Sequence, residues 1–233
     1  MTVSVATYDP GGWSDNFCGL YAKVTPENIR LTDAKFWSKK DMPNLTTKKI
    51  KDDIYKIHNA FEFHYTLCET NNQGNMIISD LRSYPYKLHV IGITTSANLK
   101  LAQTIQRGNS LDKNKTVPYV QKFIEDGTIE FPSSLTTGLK KVKEEIDNYG
   151  QKDNGKYEAL SGHDDSISCL VILTHWAKRS MLKATANKLF GYGAGDPYDQ
   201  NRVKLIHEQI RDKMKKRFEN AGMPSDQMHF DYR

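Results

Sequence analysis

The chain has 233 residues, 38% of them hydrophobic and 26% charged, and carries a formal net charge of +5. That suits one large globular domain, or one with an appendage, and the mild positive charge is compatible with a polyanionic partner without requiring one. No apolar run approaches the roughly 18–20 residues that span a bilayer, and the start Met1-Thr2-Val3-Ser4-Val5-Ala6 lacks the basic head and apolar core of a signal peptide. A cytoplasmic protein without membrane contact is the expectation. Cys18, Cys68 and Cys169 are widely spaced and form no Cys-x-x-Cys pair, which argues against a structural zinc site or a disulfide framework and reads as small buried hydrophobes.

In chain order, Val3 to Asp9 alternates as a strand with Val3, Val5, Thr7 and Asp9 on one face. Pro10-Gly11-Gly12 ends it. Phe17 to Val24 and Ile29 to Trp37 read as two further strands, and their short connections imply an antiparallel meander. Thr46 to Phe61 has helical period, with Ile50, Ile54, Ile57 and Phe61 on one stripe. Phe63 to Glu69 is a fourth strand whose Phe63, Tyr65, Leu67 and Glu69 share a face. A short helix over Asn75 to Leu81 and a fifth strand over Leu88 to Ile93 follow, then a polar stretch from Thr94 to Ser110. Val117 to Asp126 and Leu135 to Tyr149 are predicted helices around the extended segment Gly127 to Pro132, and Gln151 to Gly155 is a polar turn. From Asp164 to Ser180 a helix carries Ile167, Leu170, Val171, Leu173, Trp176 and Ala177 on nearly every side, the pattern of a buried helix. A glycine-bearing connection and a basic amphipathic helix striped by Val203, Ile206, Ile210, Met214 and Phe218 complete the chain.

Two strands thus end in a carboxylate on their apolar face, Asp9 and Glu69, and the most apolar helix opens on Asp164-Asp165. The fourth strand follows a helical crossover, so it is expected to lie parallel to an earlier strand through a right-handed connection. Pairing with the first strand would make Asp9 and Glu69 neighbours, and the late helix packed on that sheet would bring Asp165 to them. This is a ribonuclease H-like α/β arrangement: a mixed five-stranded sheet, its first three strands antiparallel, flanked by helices, with a C-terminal helical extension. Three carboxylates at one point repel and hold on to protons unless a cation neutralises them. Mg²⁺ or Mn²⁺ does so with oxygen ligands alone, and two such ions about 4 Å apart serve phosphodiester hydrolysis. Either Asp of the pair could instead simply cap the helix.

Tyr8-Asp9-Pro10-Gly11-Gly12, Cys68-Glu69-Thr70-Asn71-Asn72-Gln73-Gly74 and Gly162-His163-Asp164-Asp165, in that order, resemble the nuclease domain of the large terminase subunit of tailed bacteriophages. Ile93-Thr94-Thr95 with Asn98 and Lys100, and Tyr119 to Phe131, add to the likeness, which covers roughly residues 1–180. The resemblance implies an endonuclease that cuts concatemeric viral DNA during packaging with Mg²⁺ or Mn²⁺, two ions in all. Carried over, Asp9 and Glu69 match the first two metal-binding acids and Asp165 the third, with Asp164 as its alternative and His163 as an accessory; Ser168 departs from relatives with a further acid or His nearby. Double-stranded DNA, an ATPase motor domain, and a portal or small terminase subunit are the implied partners, in the host cytoplasm. The domain is expected over 1–185 and the extension over 186–233.

A complete large terminase also carries an ATPase, and this chain has no Gly-x-x-x-x-Gly-Lys-[Ser/Thr] phosphate loop; an excised domain or a separately encoded nuclease is expected. Lys100, Arg107, Lys113 and Lys115, after the fifth strand, are candidate contacts to the DNA backbone. His58, His64, His89 and His175 show no metal spacing and read as structural. A Holliday-junction resolvase on the same fold, or a DNA-binding scaffold without activity, are the competing readings.

Overall fold

In the computed structural model, which describes residues 2–11, 16–71, 73–96, 110–153 and 155–180, β1 (Val3–Asp9), β2 (Phe17–Val24) and β3 (Ile29–Trp37) form the antiparallel meander. The β2–β3 turn is closed by Thr25, whose N–H donates to the Asn28 carbonyl at 2.9 Å and whose Oγ1 accepts the Asn28 N–H at 3.0 Å. Helix α1 (Thr47–Phe61) starts where the Thr46 hydroxyl accepts the Lys49 N–H and stops at Glu62 in the left-handed region. It crosses over to β4 (Tyr65–Glu69), which runs parallel to β1 as the topology requires.

Next come α2 (Gly74–Arg82), β5 (Val90–Ser96), β6 (Ser110–Asp112), α3 (Lys113–Glu125), β7 (Ile129–Glu130), α4 (Thr137–Asp147), the hairpin β8 (Tyr149–Gln151) and β9 (Tyr157–Ala159), and α5 (Asp165–Ser180). The sheet has the order β6-β5-β4-β1-β2-β3-β7, seven strands where five were expected. The two additions are parallel edge strands of three and two residues, too short for periodicity to reveal. The polar stretch at Gln151 to Gly155 turns out to be the tip of the separate β8–β9 hairpin. The extension expected over 186–233 lies outside the described residues.

Both faces of β1 are covered. Val3 and Val5 join Leu67 and the core under α3, α4 and α5, whereas Ala6, Tyr8 and Cys68 join the core under α1 and α2. Phe63 precedes β4 and belongs to the second core, so it does not share the face of Leu67. Phe61, expected on the buried stripe of α1, is 55% exposed and stacks on Phe63 instead.

Helix α5 is apolar all round because it has neighbours all round: β1 and β2 on one side, α3 and α4 on the other. Cys169 Sγ lies 3.7 Å from the Thr7 carbonyl and 3.6 Å from that of Cys18, and the Trp176 ring packs on Tyr65 at 4.8 Å. Residues 165, 169, 172 and 176 recur at helical spacing, so anchoring Cys169 on the sheet also aims Asp165 at the end of β1. The three cysteines are free and buried. No helix among the described residues is long and apolar enough to cross a membrane.

Candidate active site

Asp9 closes β1 just before a turn in which Gly11 adopts φ 59°, and the Gly11 N–H donates to Asp9 Oδ1 at 2.9 Å. The parallel register pairs Tyr8 with Cys68, so Asp9 and Glu69 stand side by side on adjacent strands, whose spacing is about 4.8 Å. The chain then turns sharply into α2. A Cβ on Gly74 would come within 1.8 Å of the Glu69 carbonyl oxygen, which is why the Glu69 loop needs glycine at its far end.

Glu69 Oε1 accepts from Asn71 Nδ2 at 3.0 Å and from the Thr95 hydroxyl. Asn71 is itself held on the Thr95 carbonyl at 2.8 Å. Burial and the neighbouring Asp9 charge push the Glu69 carboxyl up to about 8, against the pull of Thr95 and Lys113. Asp165, the first residue of α5, accepts from Asn16 Nδ2 at 3.2 Å. Burial lifts it to about 7; the Asn16 bond lowers it, and the charges of Glu145 and Asp9 raise it.

Asp164 and Asp165 part company at the helix start. The Asp164 carbonyl accepts the N–H groups of Ile167 and Ser168, while its carboxylate pairs with Lys113 Nζ at 3.1 Å. Asp165 is the first helical residue and bonds Asn16 just before β2, whereas Asp164 precedes the helix and turns its carboxylate to Lys113 at the start of α3. The capping carboxylate for this helix comes from neither. Glu145 on α4, 7% exposed, accepts the Ser166 N–H at 2.9 Å and the Ser166 hydroxyl at 2.6 Å.

Of the other expected residues, His163 is exposed two positions before Asp165 and tends to lower its pKa. Lys115 is exposed and pairs with Asp112 at 3.7 Å. Lys113 is turned inward rather than toward solvent. Lys100 and Arg107 lie outside the described residues. Asn16 and Glu145 had no local signal in the sequence; Asn71 and Thr95 were inside stretches that stood out, but without a role. His58 and His64 contact Thr66 Oγ1 and the Ser4 N–H, and burial drops His175 to about 4.

Asp9, Glu69 and Asp165 are 7%, 8% and 6% exposed, and among the described residues none forms an ion pair with Lys, Arg or His. Among those residues no three His, Cys, Asp or Glu side chains converge on one point at ligand distance. These are buried, oxygen-only donors, and burial first, with the charges of neighbouring carboxylates added, raises Glu69 to about 8 and Asp165 to about 7. A hard divalent cation fits that donor set, because it would replace the protons and remove the repulsion.

No family model and no curated protein matches the sequence. Among solved structures the chain is similar to the large terminase of a thermophilic bacteriophage, with a TM-score of 0.54 at 11% identity over 74% of this chain and 39% of that one. It spans about two fifths of that protein's length. It is also similar to the large terminase nuclease domain of bacteriophage SPP1, solved with bound Mn, with a TM-score of 0.50 at 13% identity over 77% of this chain and 87% of that one. At such identities the common property is the backbone: this chain has the ribonuclease H-like fold of the large terminase nuclease domain.

Proposed function

We propose that the chain is the DNA-cutting part of a phage packaging machine: a Mg²⁺- or Mn²⁺-dependent endodeoxyribonuclease that hydrolyses phosphodiesters of concatemeric viral DNA. The observation that carries this reading is a set of three buried carboxylates that pair with no Lys, Arg or His among the described residues: Asp9 and Glu69 at the ends of adjacent parallel strands, and Asp165 opening α5, where the Asp9 charge reaches it. The fold shared with the thermophilic-phage and SPP1 terminases supports the same reading, and the Mn bound to the SPP1 domain supports the choice of metal.

Asp9, Glu69 and Asp165 would hold the metal, which when bound supplies Lewis-acid polarisation of a phosphoryl oxygen and a more acidic water. The remaining residues prepare the ligands. Asn71 and Thr95 fix the Glu69 carboxylate, Asn16 fixes Asp165, and the Gly11 N–H fixes Asp9. Double-stranded DNA is the substrate of this reading, cut with little sequence preference, since backbone contacts carry no sequence information. An ATPase motor, a portal and a small terminase subunit would be its working partners.

The test is plasmid cleavage by the full chain in Mn²⁺. Cutting should vanish with excess EDTA and fall on the order of 10²–10⁴-fold in Asp9→Ala and Asp165→Ala, the loss of several kcal/mol of transition-state stabilisation. Undiminished cutting by both variants would sink the reading. A marked preference for four-way junctions over linear duplex would favour a resolvase instead.

A further inference from the structure

A cavity of about 290 Å³ opens on the α1 and α2 side of the sheet. Two of its lining residues tie it to the carboxylates: Pro10 follows Asp9, and Gln73 lies in the turn between Glu69 and Gly74. Its walls are held in place by the fold. Phe17 and Trp37 meet edge to face at 5.2 Å with Tyr8 packed on both, and Trp37 Nε1 donates to Asp53 Oδ2 at 3.1 Å. The loop that brings Leu45 to the cavity is closed twice: the Ser38 carbonyl accepts the Met42 N–H at 2.8 Å, and the Met42 carbonyl accepts the Leu45 N–H at 2.9 Å. Ile50 of α1 completes the apolar side.

The polar groups of the cavity are open. Gln73 occupies the N-cap position of α2, yet its side chain makes no capping bond. Among the described residues neither its amide nor the Thr47 hydroxyl, also in the lining, has a hydrogen-bond partner. An amide offers both a donor and an acceptor. Charge surrounds the opening on one side. Lys39 lines the cavity and is exposed, Lys40 and Lys49 next to lining residues are exposed too, and Asp41 is the single acid from Ser38 to Ile50.

Apolar aromatic walls, free edge-reading groups and a lysine rim suit a flat heterocycle carried on a polyanion. The volume lies at the small end of ligand cavities, which run to about 300–1,000 Å³; one ring system fits and a duplex or a helix does not. A base reaches such a cavity only by leaving its stack. We propose that this cavity receives one unstacked nucleobase of the bound DNA, with Gln73 and Thr47 on the base edge and the phosphates outside against the lysines. The inference rests on the nuclease reading and extends it: cutting falls beside a nucleotide drawn out of the helix.

Fluorescence anisotropy with the full chain in EDTA, where nothing is cut, tests this on three short duplexes: one fully paired, one with a bulged 2-aminopurine, and one with the bulged position abasic. Wild type should bind the 2-aminopurine bulge about tenfold more tightly than the abasic one, the scale of a single base held on aromatic walls, and the 2-aminopurine emission should change on binding. Leu45→Trp, which fills the cavity, and Gln73→Ala, which removes the edge reader, should lose most of that difference while binding the paired duplex as wild type does. Equal binding of the two bulges by wild type would overturn the inference, as would variants that keep the difference; either result leaves the cavity to some other occupant. Binding of none of the three would overturn it too. If plasmid cutting in Mn²⁺ persists in that case, the nuclease reading stands without the cavity, and if cutting is also absent, both fall. Should Leu45→Trp fail to fold, Gln73→Ala alone decides.

Discussion

Glu69→Gln should make the metal-free protein more stable at pH 8 and at the same time abolish its cutting of DNA. In the folded chain burial and Asp9 move the Glu69 carboxyl from 4.5 to about 8. Between those values the folded state keeps a proton that the unfolded state has released. Stability from this group is therefore intact below about 4.5 and lost as pH rises through about 8. The loss is on the order of 2–4 kcal/mol. Asp165 adds a parallel loss between 3.8 and about 7. Glutamine keeps the shape, and its amide oxygen can accept from Asn71 and Thr95 as the carboxylate does, but it has no charge to bury beside Asp9. Thermal melts in EDTA should find the two proteins alike at pH 5, with the variant ahead at pH 8 by several degrees, at about 2–4 °C per kcal/mol for a chain of this size. Mn²⁺ should reverse the order, since saturation at a hundred times Kd stabilises the wild type by about 2.7 kcal/mol and the ligand-deficient variant far less. A stability difference that stays flat from pH 5 to 8 would show that the carboxylates are not held against their preference, and the site would lose its rationale.

The same burial is why Asp9 and Glu69 stand out in the sequence as candidates. Asp9 has the parity of Val3 and Val5, and Glu69 that of Tyr65 and Leu67; a solvated acid has no reason to end an apolar face. Parallel pairing of β4 with β1 follows from the α1 crossover, so the juxtaposition was legible from residue order alone. Beyond this the sequence ran out in identifiable ways. The strands β6 and β7 consist of three and two residues; backbone pairing at a sheet edge creates them, and no pattern of side chains does. Asp164 and Asp165 could not be told apart, because their roles depend on where α5 begins and on what lies across from each, Lys113 in one case and Asn16 in the other. Lys113 itself reads as a phosphate contact when only its loop and charge are known. Its inward course is set by α3 packing on α5, a tertiary fact. Glu145 lies on the amphipathic α4 beside the equally acidic Glu144, and nothing local marks it as the one that reaches another helix.

Glu145 braces the start of α5. Helix α5 must start rigidly if Asp165 is to be held at the end of β1, and its first-turn N–H groups need acceptors from outside the helix. Glu145 Oε2 reaches over from α4 and takes both the N–H and the hydroxyl of Ser166, the residue after Asp165. Burial lifts the Glu145 carboxyl above its usual range; the two Ser166 bonds pull it back. Glu145→Ala would leave a buried N–H and hydroxyl without a partner and open a small cavity, at a cost of about 2–4 kcal/mol, and cutting should fall as the Asp165 turn loosens. Glu145→Gln keeps an acceptor and should lose about 1 kcal/mol or less. Its second consequence is one that a purely structural brace would not have. The Glu145 charge is among the causes that raise Asp165, so the neutral Gln should let Asp165 shed its proton earlier and move the acid limb of Mn²⁺-dependent cutting to lower pH. Urea denaturation ranks the three proteins, and the pH–rate profile of the Gln variant checks the electrostatic half. An Ala variant as stable as wild type would exclude the cap, and an unmoved acid limb would exclude the coupling to Asp165. If both effects appear, the fourth carboxylate of this corner is the one that holds the helix, leaving Asp165 free for the metal.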